Sequence, residues 1–149
     1  MKFAAFLTEL DRSGPRPLYA MAGPEAYWRD RGWRAITSAV LASDPTAECR
    51  TIDPTSREEG AGFDLARLLA DLATPSLFAS SHCFRLRPAT GLVGAWADRL
   101  LAYLEAPPSG ATLVLDLERL DGRTRFARSI SPRGATVECK ALFSSPPPW

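Results

Sequence analysis

Five short candidate strands alternate with segments of helical periodicity along the 149 residues, and this alternation constrains the fold more than any other feature. The candidate strands lie at 18–22, 48–52, 82–86, 111–115 and 136–139. The segments between them predict helices over 1–10, from Pro24 to Asp44, from Asp64 to Thr74, over 92–105 and over 121–130. Parallel strands need crossover connections, so strands that alternate with helices favour a parallel sheet. We therefore predict an α/β, three-layer fold, in which a mostly parallel five-stranded sheet has helices on both faces.

The composition is that of an ordinary globular domain. Hydrophobic residues make up 46% and charged residues 23% of the chain, and 18 basic against 17 acidic side chains leave a formal charge of +1. This balance provides no overall attraction to nucleic acid or to an anionic membrane. No apolar run approaches the ~20 residues that cross a bilayer. Because Glu9 and Asp11 interrupt the apolar start, we expect a cytoplasmic protein with no signal peptide and no membrane contact.

The residues after the first predicted strand argue against nucleotide binding. A phosphate-binding loop needs glycines for close backbone approach, a lysine for the phosphates and a Ser or Thr for magnesium. Here residues 23–28 are Gly-Pro-Glu-Ala-Tyr-Trp, with one glycine and no lysine. The carboxylate of Glu25 would also repel phosphate. We therefore expect neither ATP nor GTP to bind, and no cofactor.

Side chains able to catalyse a reaction or hold a metal are few. Cys49, Cys83 and Cys139 are widely spaced and form no CxxC pair, so neither a zinc site nor a redox motif is predicted. His82 is the only histidine, and its neighbour Cys83 should point to the opposite face of a strand. The two cannot form a nucleophile–base pair, so we predict no catalytic residue and no metal site.

One alternative from a different class keeps the same order of strands and helices. A receiver-like signalling domain would bind magnesium at strand-end carboxylates. Glu25 is the carboxylate close to the end of the first strand, and Lys140 follows the last strand. Without a second carboxylate beside Glu25, this alternative has weaker support in the sequence.

Five arginines fall within fifteen residues near the last predicted helix, with Asp121 as the only acid among them. Spacing of three or four residues would place some of them on a common helical face. Such a face can contact phosphate or an acidic partner, whereas a solvated helix in an arginine-rich chain explains the run equally simply. We favour the solvated face and keep, as candidates for contact with DNA or another subunit, Arg119, Arg123, Arg125 and Arg128.

Ser76, Leu77 and Phe78 lie on a predicted loop, after a helix that stops at a proline and before a strand. Two large apolar side chains on a loop either pack into the core or contact a partner. Adjacent apolar side chains of this kind can insert together into a hydrophobic groove on another protein.

Several segments, taken in order, carry a resemblance to a known family. They are residues 17–27 (PLYAMAGPEAY), 69–79 (LADLATPSLFA), 112–115 (TLVL), 120–123 (LDGR) and 135–140 (ATVECK). Together they resemble the N-terminal domain of the delta subunit of the bacterial DNA polymerase III clamp loader. The resemblance implies an AAA+-like fold, related to P-loop NTPases but without a phosphate loop, over residues 1–140. It also implies that residues 141–149 begin a linker to absent lid and collar domains.

The resemblance further implies a subunit without a catalytic site of its own, in the DNA polymerase III holoenzyme, a nucleotidyltransferase complex of DNA replication. In this family a Leu-Phe pair after the second long helix inserts into a pocket on the sliding clamp, the beta subunit, and favours the open ring. The matching positions here, and thus the expected clamp-binding residues, are Ser76, Leu77, Phe78 and Ala79. Other clamp-loader subunits are implied partners where lid and collar are present, and DNA is contacted indirectly.

Overall fold

The computed structural model describes residues 1–56, 62–74 and 77–140. Five helices and five strands alternate along these ranges, beginning with a helix. They are α1 (Phe3–Ser13), β1 (Leu18–Ala22), α2 (Ala26–Ser43), β2 (Glu48–Ile52), α3 (Leu65–Ala73), β3 (His82–Leu86), α4 (Val93–Glu105), β4 (Ala111–Leu117), α5 (Arg125–Ser129) and β5 (Ala135–Glu138). The proposed linker, residues 141–149, lies outside the described residues.

The five strands form one sheet with the order β2-β3-β4-β1-β5. Each neighbouring pair of strands in it is parallel. Every residue of β3 and β4 is buried, as expected for interior strands of a sheet covered on both faces. The edge strand β2 is largely exposed, and a single bridge from Lys2 to Glu138 extends the opposite edge.

Helices cover both faces of the sheet. On one face, Phe6 of α1 and Ile36 of α2 pack in a cluster with Met21 of β1. On the other face, the cluster joins α3, α4 and α5 to the opposite side chains of the same strands, through Leu68, Leu100, Phe126, Phe84 and Leu113. The predicted three-layer α/β fold with a five-stranded parallel sheet is therefore confirmed.

The last helix is shorter than predicted. It begins at Arg125, because the hydroxyl oxygen of Thr124 accepts a hydrogen bond from the Ala127 N–H at 3.2 Å and caps the helix there. Asp121 instead forms a local turn, in which its carboxylate accepts from the N–H of Arg123 at 2.9 Å. The prediction of a helix over 121–130 was therefore wrong at its start.

Further boundaries differ from the sequence prediction, among them those of α1, which spans Phe3–Ser13 rather than 1–10. The second helix begins at Ala26, with Glu25 in extended conformation at its N-cap position, so Pro24 precedes the helix rather than starting it. Strand β4 continues to Leu117, because Ala22 of β1 extends the pairing that far. Strand β5 begins and ends one residue earlier than predicted. None of the described helices is long and apolar enough to span a membrane.

Candidate functional site

The loop between α3 and β3 carries the most exposed large apolar side chains among the described residues. Leu77 is 97% exposed and Phe78 is 85% exposed, compared with 56% for Tyr27 and 40% for Leu41. Scattered exposed apolar residues are normal, but two adjacent ones at full exposure are typical of a contact surface. We call Thr74 and residues 77–81, the described part of this connection, the α3–β3 loop.

The other two residues expected to bind a partner are placed differently. Ala79 is buried, with 7% of its surface exposed, so it lies at the base of the loop rather than at its tip. Ser76 falls outside the described residues. Among the described residues of the loop, Leu77 and Phe78 therefore provide the exposed apolar surface.

One end of the α3–β3 loop is attached to the first residue of β3. His82 is buried, and its Nε2 atom lies 3.0 Å from the carbonyl oxygen of Thr74, the residue that ends α3. A carbonyl oxygen only accepts, so Nε2 carries the hydrogen and donates it. The Nδ1 atom is buried without a hydrogen-bond partner among the described residues, and the nearest carboxylate oxygen, on Glu48, is 3.7 Å away.

The other end of the loop is attached to the end of α2. The hydroxyl of Ser80 donates to Oδ2 of Asp44 at 2.7 Å. The other carboxylate oxygen, Oδ1, accepts from the backbone N–H of Thr46 at 3.0 Å and from its hydroxyl at 2.6 Å. Hydrogen bonds to a carboxylate favour its charged form. The Ser80 bond, followed by the Thr46 bonds, holds the pKa of Asp44 well below its usual range.

The backbone beside this attachment joins two strands. The N–H of Glu48 donates to the carbonyl of Ser81, and the N–H of His82 donates to the carbonyl of Gly110, both at 2.9 Å. Gly110 has a φ of +75°, and a Cβ there would lie 3.1 Å from the Ser80 carbonyl oxygen. Gly110 thus lets the turn before β4 approach the loop closely.

The cysteines and the histidine do not form a reactive pair. Cys83 packs on the face covered by α1 and α2, whereas the His82 ring bonds to the end of α3 on the other face, as predicted. Burial raises the pKa of Cys139 to about 12 and raises that of Cys83 as well, so both thiols stay protonated near neutral pH. No group of three or more His, Cys, Asp or Glu side chains that could hold a metal occurs in the described part of the chain.

A buried ion-pair network lies at the carboxyl-terminal edge of the sheet, where β1 leads into α2. Arg29 of α2 donates through Nε to Oδ1 of Asp116 at 2.6 Å and through Nη1 to the carbonyl of Gly23. Arg85 donates through Nε to Oδ2 of Asp116 at 3.1 Å, and its Nη2 lies 2.6 Å from Oδ1 of Asp30. Arg29, Arg85 and Asp116 are each more than nine-tenths buried.

None of these four charged residues was singled out from the sequence. The available signal was a charge inside an otherwise apolar strand, Arg85 in β3 and Asp116 in β4, because a buried charge needs a partner. The network lies beside the three-residue connection from β1 to α2, because Arg29 also donates to the carbonyl of Gly23 in that connection.

The four arginine candidates do not share one helical face. Only Arg125 and Arg128 lie on α5, because that helix begins at residue 125. Arg125 pairs with Asp98 at 2.6 Å, and Arg123 pairs with Asp121 at 3.1 Å. Arg119 follows β4 and lines, with Arg125, a cavity of about 710 Å³ between α4 and α5.

The parallel five-stranded sheet with helices on both faces is similar to the fold of solved clamp-loader structures. The particular structure it resembles is the Bacillus subtilis DNA clamp loader delta protein (YqeN), with a TM-score of 0.67 and 17% sequence identity. The likeness covers 93% of this chain and 42% of that protein, so this chain spans less than half of its length. No protein-family model and no curated protein sequence matches the chain. The structural resemblance expected from the sequence motifs is therefore confirmed, as a resemblance of fold.

Proposed function

We propose that this chain is the clamp-binding domain of a clamp-loader delta subunit. It binds the sliding clamp of the replicative DNA polymerase through Leu77 and Phe78 and favours the open form of the ring. The exposure of these two adjacent side chains, 97% and 85%, carries the proposal. The likeness in fold to a clamp loader delta protein supports it.

The size of the apolar pair suits an anchoring contact but not the whole interface. Complete burial of a Leu and a Phe side chain is worth roughly 3–6 kcal/mol. Micromolar binding needs about 8 kcal/mol, so polar groups around the pair must contribute. Ser80 of the loop and Thr46, which both bond to the Asp44 carboxylate, carry hydroxyl groups of this kind.

Opening of the ring requires no chemical step in this chain. A protein that binds the open ring more tightly than the closed ring shifts the clamp towards the open form by the difference in binding free energy. In this role residues 1–140 form the clamp-binding domain and residues 141–149 lead towards lid and collar domains. The other loader subunits bind through those domains. DNA is contacted only indirectly, through the loaded clamp. The protein acts in the cytoplasm.

The receiver-like alternative is not supported by the topology. A receiver-like doubly wound sheet has the strand order 2-1-3-4-5, whereas this sheet has the order β2-β3-β4-β1-β5. Glu25, the carboxylate expected to start a magnesium site, is exposed at the N-cap of α2 and makes no side-chain capping bond.

Replacement of both anchors tests the proposal directly. We expect Leu77→Ala with Phe78→Ala to weaken binding to the sliding clamp of the same organism by at least about 100-fold, because the lost burial is worth roughly 3–6 kcal/mol. The melting temperature should stay nearly unchanged, since both side chains are exposed. Titration calorimetry and thermal unfolding measure the two quantities.

The matched control is Tyr27→Ala with Leu41→Ala, which also removes two exposed apolar side chains but lies on α2. This variant should bind the clamp like the wild type. A strong loss of stability in the Leu77–Phe78 variant, or unchanged clamp binding, would refute the proposal.

A further inference from the structure

The α3–β3 loop is held at both ends by side chains that belong to other parts of the sheet and helices. At one end His82 of β3 bonds to the Thr74 carbonyl, and at the other Asp44 bonds to the Ser80 hydroxyl. Asp44 ends α2, which covers the opposite face of the sheet from α3. The exposed pair, Leu77 and Phe78, lies between the two attachments.

These attachments have a physical consequence for binding. When a loop carries two apolar side chains, a conformation that folds back and buries them on its own domain is favoured, because it removes apolar surface from water. A loop that samples many conformations also loses more entropy on binding than one already ordered. Fixing both ends of a short loop reduces both effects, because fewer conformations connect the fixed ends.

The attachment at Asp44 involves its carboxylate rather than its backbone. Its Oδ2 atom accepts from the Ser80 hydroxyl and its Oδ1 atom accepts from Thr46, and the Ser81 side chain also hydrogen-bonds to the carboxylate. The Thr46 bonds are local to the turn that ends α2, within two residues of Asp44. The Ser80 bond spans 36 residues and therefore connects α2 to the loop.

We infer that Asp44 and His82 are positioning residues for clamp binding: they hold the two ends of the α3–β3 loop so that Leu77 and Phe78 project from the domain. This inference rests on the proposed function. Neither residue needs to contact the clamp, because each acts through the geometry of the loop. Gly110, in the turn before β4, also helps to position the loop, because any side chain there would press on the Ser80 carbonyl.

The Asp44–Ser80 bond is the better place for a test, because Ser80 is exposed and Asp44 is only half-buried, so their replacement should leave the fold intact. We expect Asp44→Ala and Ser80→Ala each to weaken clamp binding by about threefold to tenfold, the range for loss of one hydrogen bond. Ser80→Thr keeps the hydroxyl and should restore binding. Thr46→Ala is the matched control, because it removes the local bond to Asp44 and leaves the Ser80 bond in place.

His82→Phe tests the second attachment, since phenylalanine keeps the ring and removes the Nε2–H donor. Because His82 is buried, thermal unfolding must first show that this variant folds. If it does not fold, the Asp44 and Ser80 variants still decide the inference.

Two readouts separate positioning from a general structural effect. In a Leu77→Ala background, Ser80→Ala should cost less binding than in the wild type, because Ser80 acts partly through Leu77; a double-mutant cycle measures this coupling. Amide hydrogen exchange of residues 77–81 should become faster in Asp44→Ala and Ser80→Ala without any clamp present.

The outcomes distinguish the inference from the proposed function. Clamp binding that is lost in the Leu77–Phe78 variant but unchanged in Asp44→Ala, Ser80→Ala and a folded His82→Phe would overturn the inference and leave the proposed function standing. No clamp binding by the wild-type chain would overturn both. Weaker binding in Asp44→Ala and Ser80→Ala, restored by Ser80→Thr and unaffected by Thr46→Ala, would support both.

Discussion

Gly23 is the residue that allows the ends of β1 and β5 to meet. Its N–H donates to the Leu117 carbonyl at 3.0 Å, while the N–H of Cys139 donates to the Ala22 carbonyl at 2.8 Å. A Cβ at position 23 would lie 2.0 Å from the carbonyl oxygen of Cys139, well inside van der Waals contact. The glycine is needed here for close backbone approach, not for an unusual backbone conformation.

We therefore expect Gly23→Ala to destabilise the domain by about 2–4 kcal/mol, because the obstructing atom is backbone and cannot move aside. Gly94→Ala in α4 is the control, since no atom lies within 4 Å of its added Cβ. That change should be neutral or should stabilise by up to about 1 kcal/mol, through helix propensity. Urea unfolding measures both, and equal stability of the two variants would contradict this account of Gly23.

At the scale of elements, the buried ion pairs attach α2 to the central strands. Asp116 of β4 accepts from Arg29 of α2 and from Arg85 of β3, so one carboxylate connects three elements. Arg85 also pairs with Asp30, which in turn pairs with Arg87 at 2.9 Å. A buried network of this kind is sensitive to the removal of one member, because the remaining charges lose their partner.

Asp116→Asn should reduce the free energy of unfolding by about 3–5 kcal/mol, because it leaves Arg29 and Arg85 buried without a full counter-charge. Asp121→Asn, at an exposed residue paired with Arg123, should leave it nearly unchanged. Chemical denaturation of both variants gives the comparison. If Asp116→Asn changed the free energy of unfolding as little as Asp121→Asn, the network would not be what holds α2 in place.

At the scale of the whole molecule, the parallel sheet separates two surfaces. The α3–β3 loop precedes β3 and so lies at the amino-terminal edge, whereas Arg119 and the cavity it lines follow β4 at the carboxyl-terminal edge. Strands β3 and β4 contain five and seven residues. At about 3.3 Å per residue the two edges are separated by roughly 15–20 Å. The two surfaces therefore lie at opposite edges of the sheet.

This separation predicts that Arg119→Ala with Arg125→Ala keeps clamp affinity within about twofold of the wild type. Any contact of these arginines with DNA or another subunit would be lost without an effect on the clamp. Clamp titration of this variant beside the Leu77–Phe78 variant measures the difference. A tenfold loss of clamp affinity would show that the clamp reaches both edges, or that the α3–β3 loop is not the main contact.

The local elements could be predicted because their signals are local. The bounds of β1, β2 and β3 agree with the candidate strands of the sequence, and the loop position of Leu77 and Phe78 follows from the end of α3 before them. Turn residues and the period of apolar side chains act over a few neighbouring positions. The predicted start of α5 was wrong because Asp121 and Thr124 are both good N-cap residues. The hydrogen bonds that their side chains make decide which of them caps the helix.

What the sequence by itself determined is the alternation of strands and helices, the parallel three-layer fold and the loop with two adjacent apolar residues. Only the tertiary structure decided that Leu77 and Phe78 are exposed while Ala79 is buried, and which residues hold the loop. The tertiary structure also brings together Arg29 and Asp116, which are 87 residues apart, and Asp44 and Ser80, which are 36 residues apart. Such contacts depend on which strands become neighbours in the sheet, and no local pattern in the chain specifies that order.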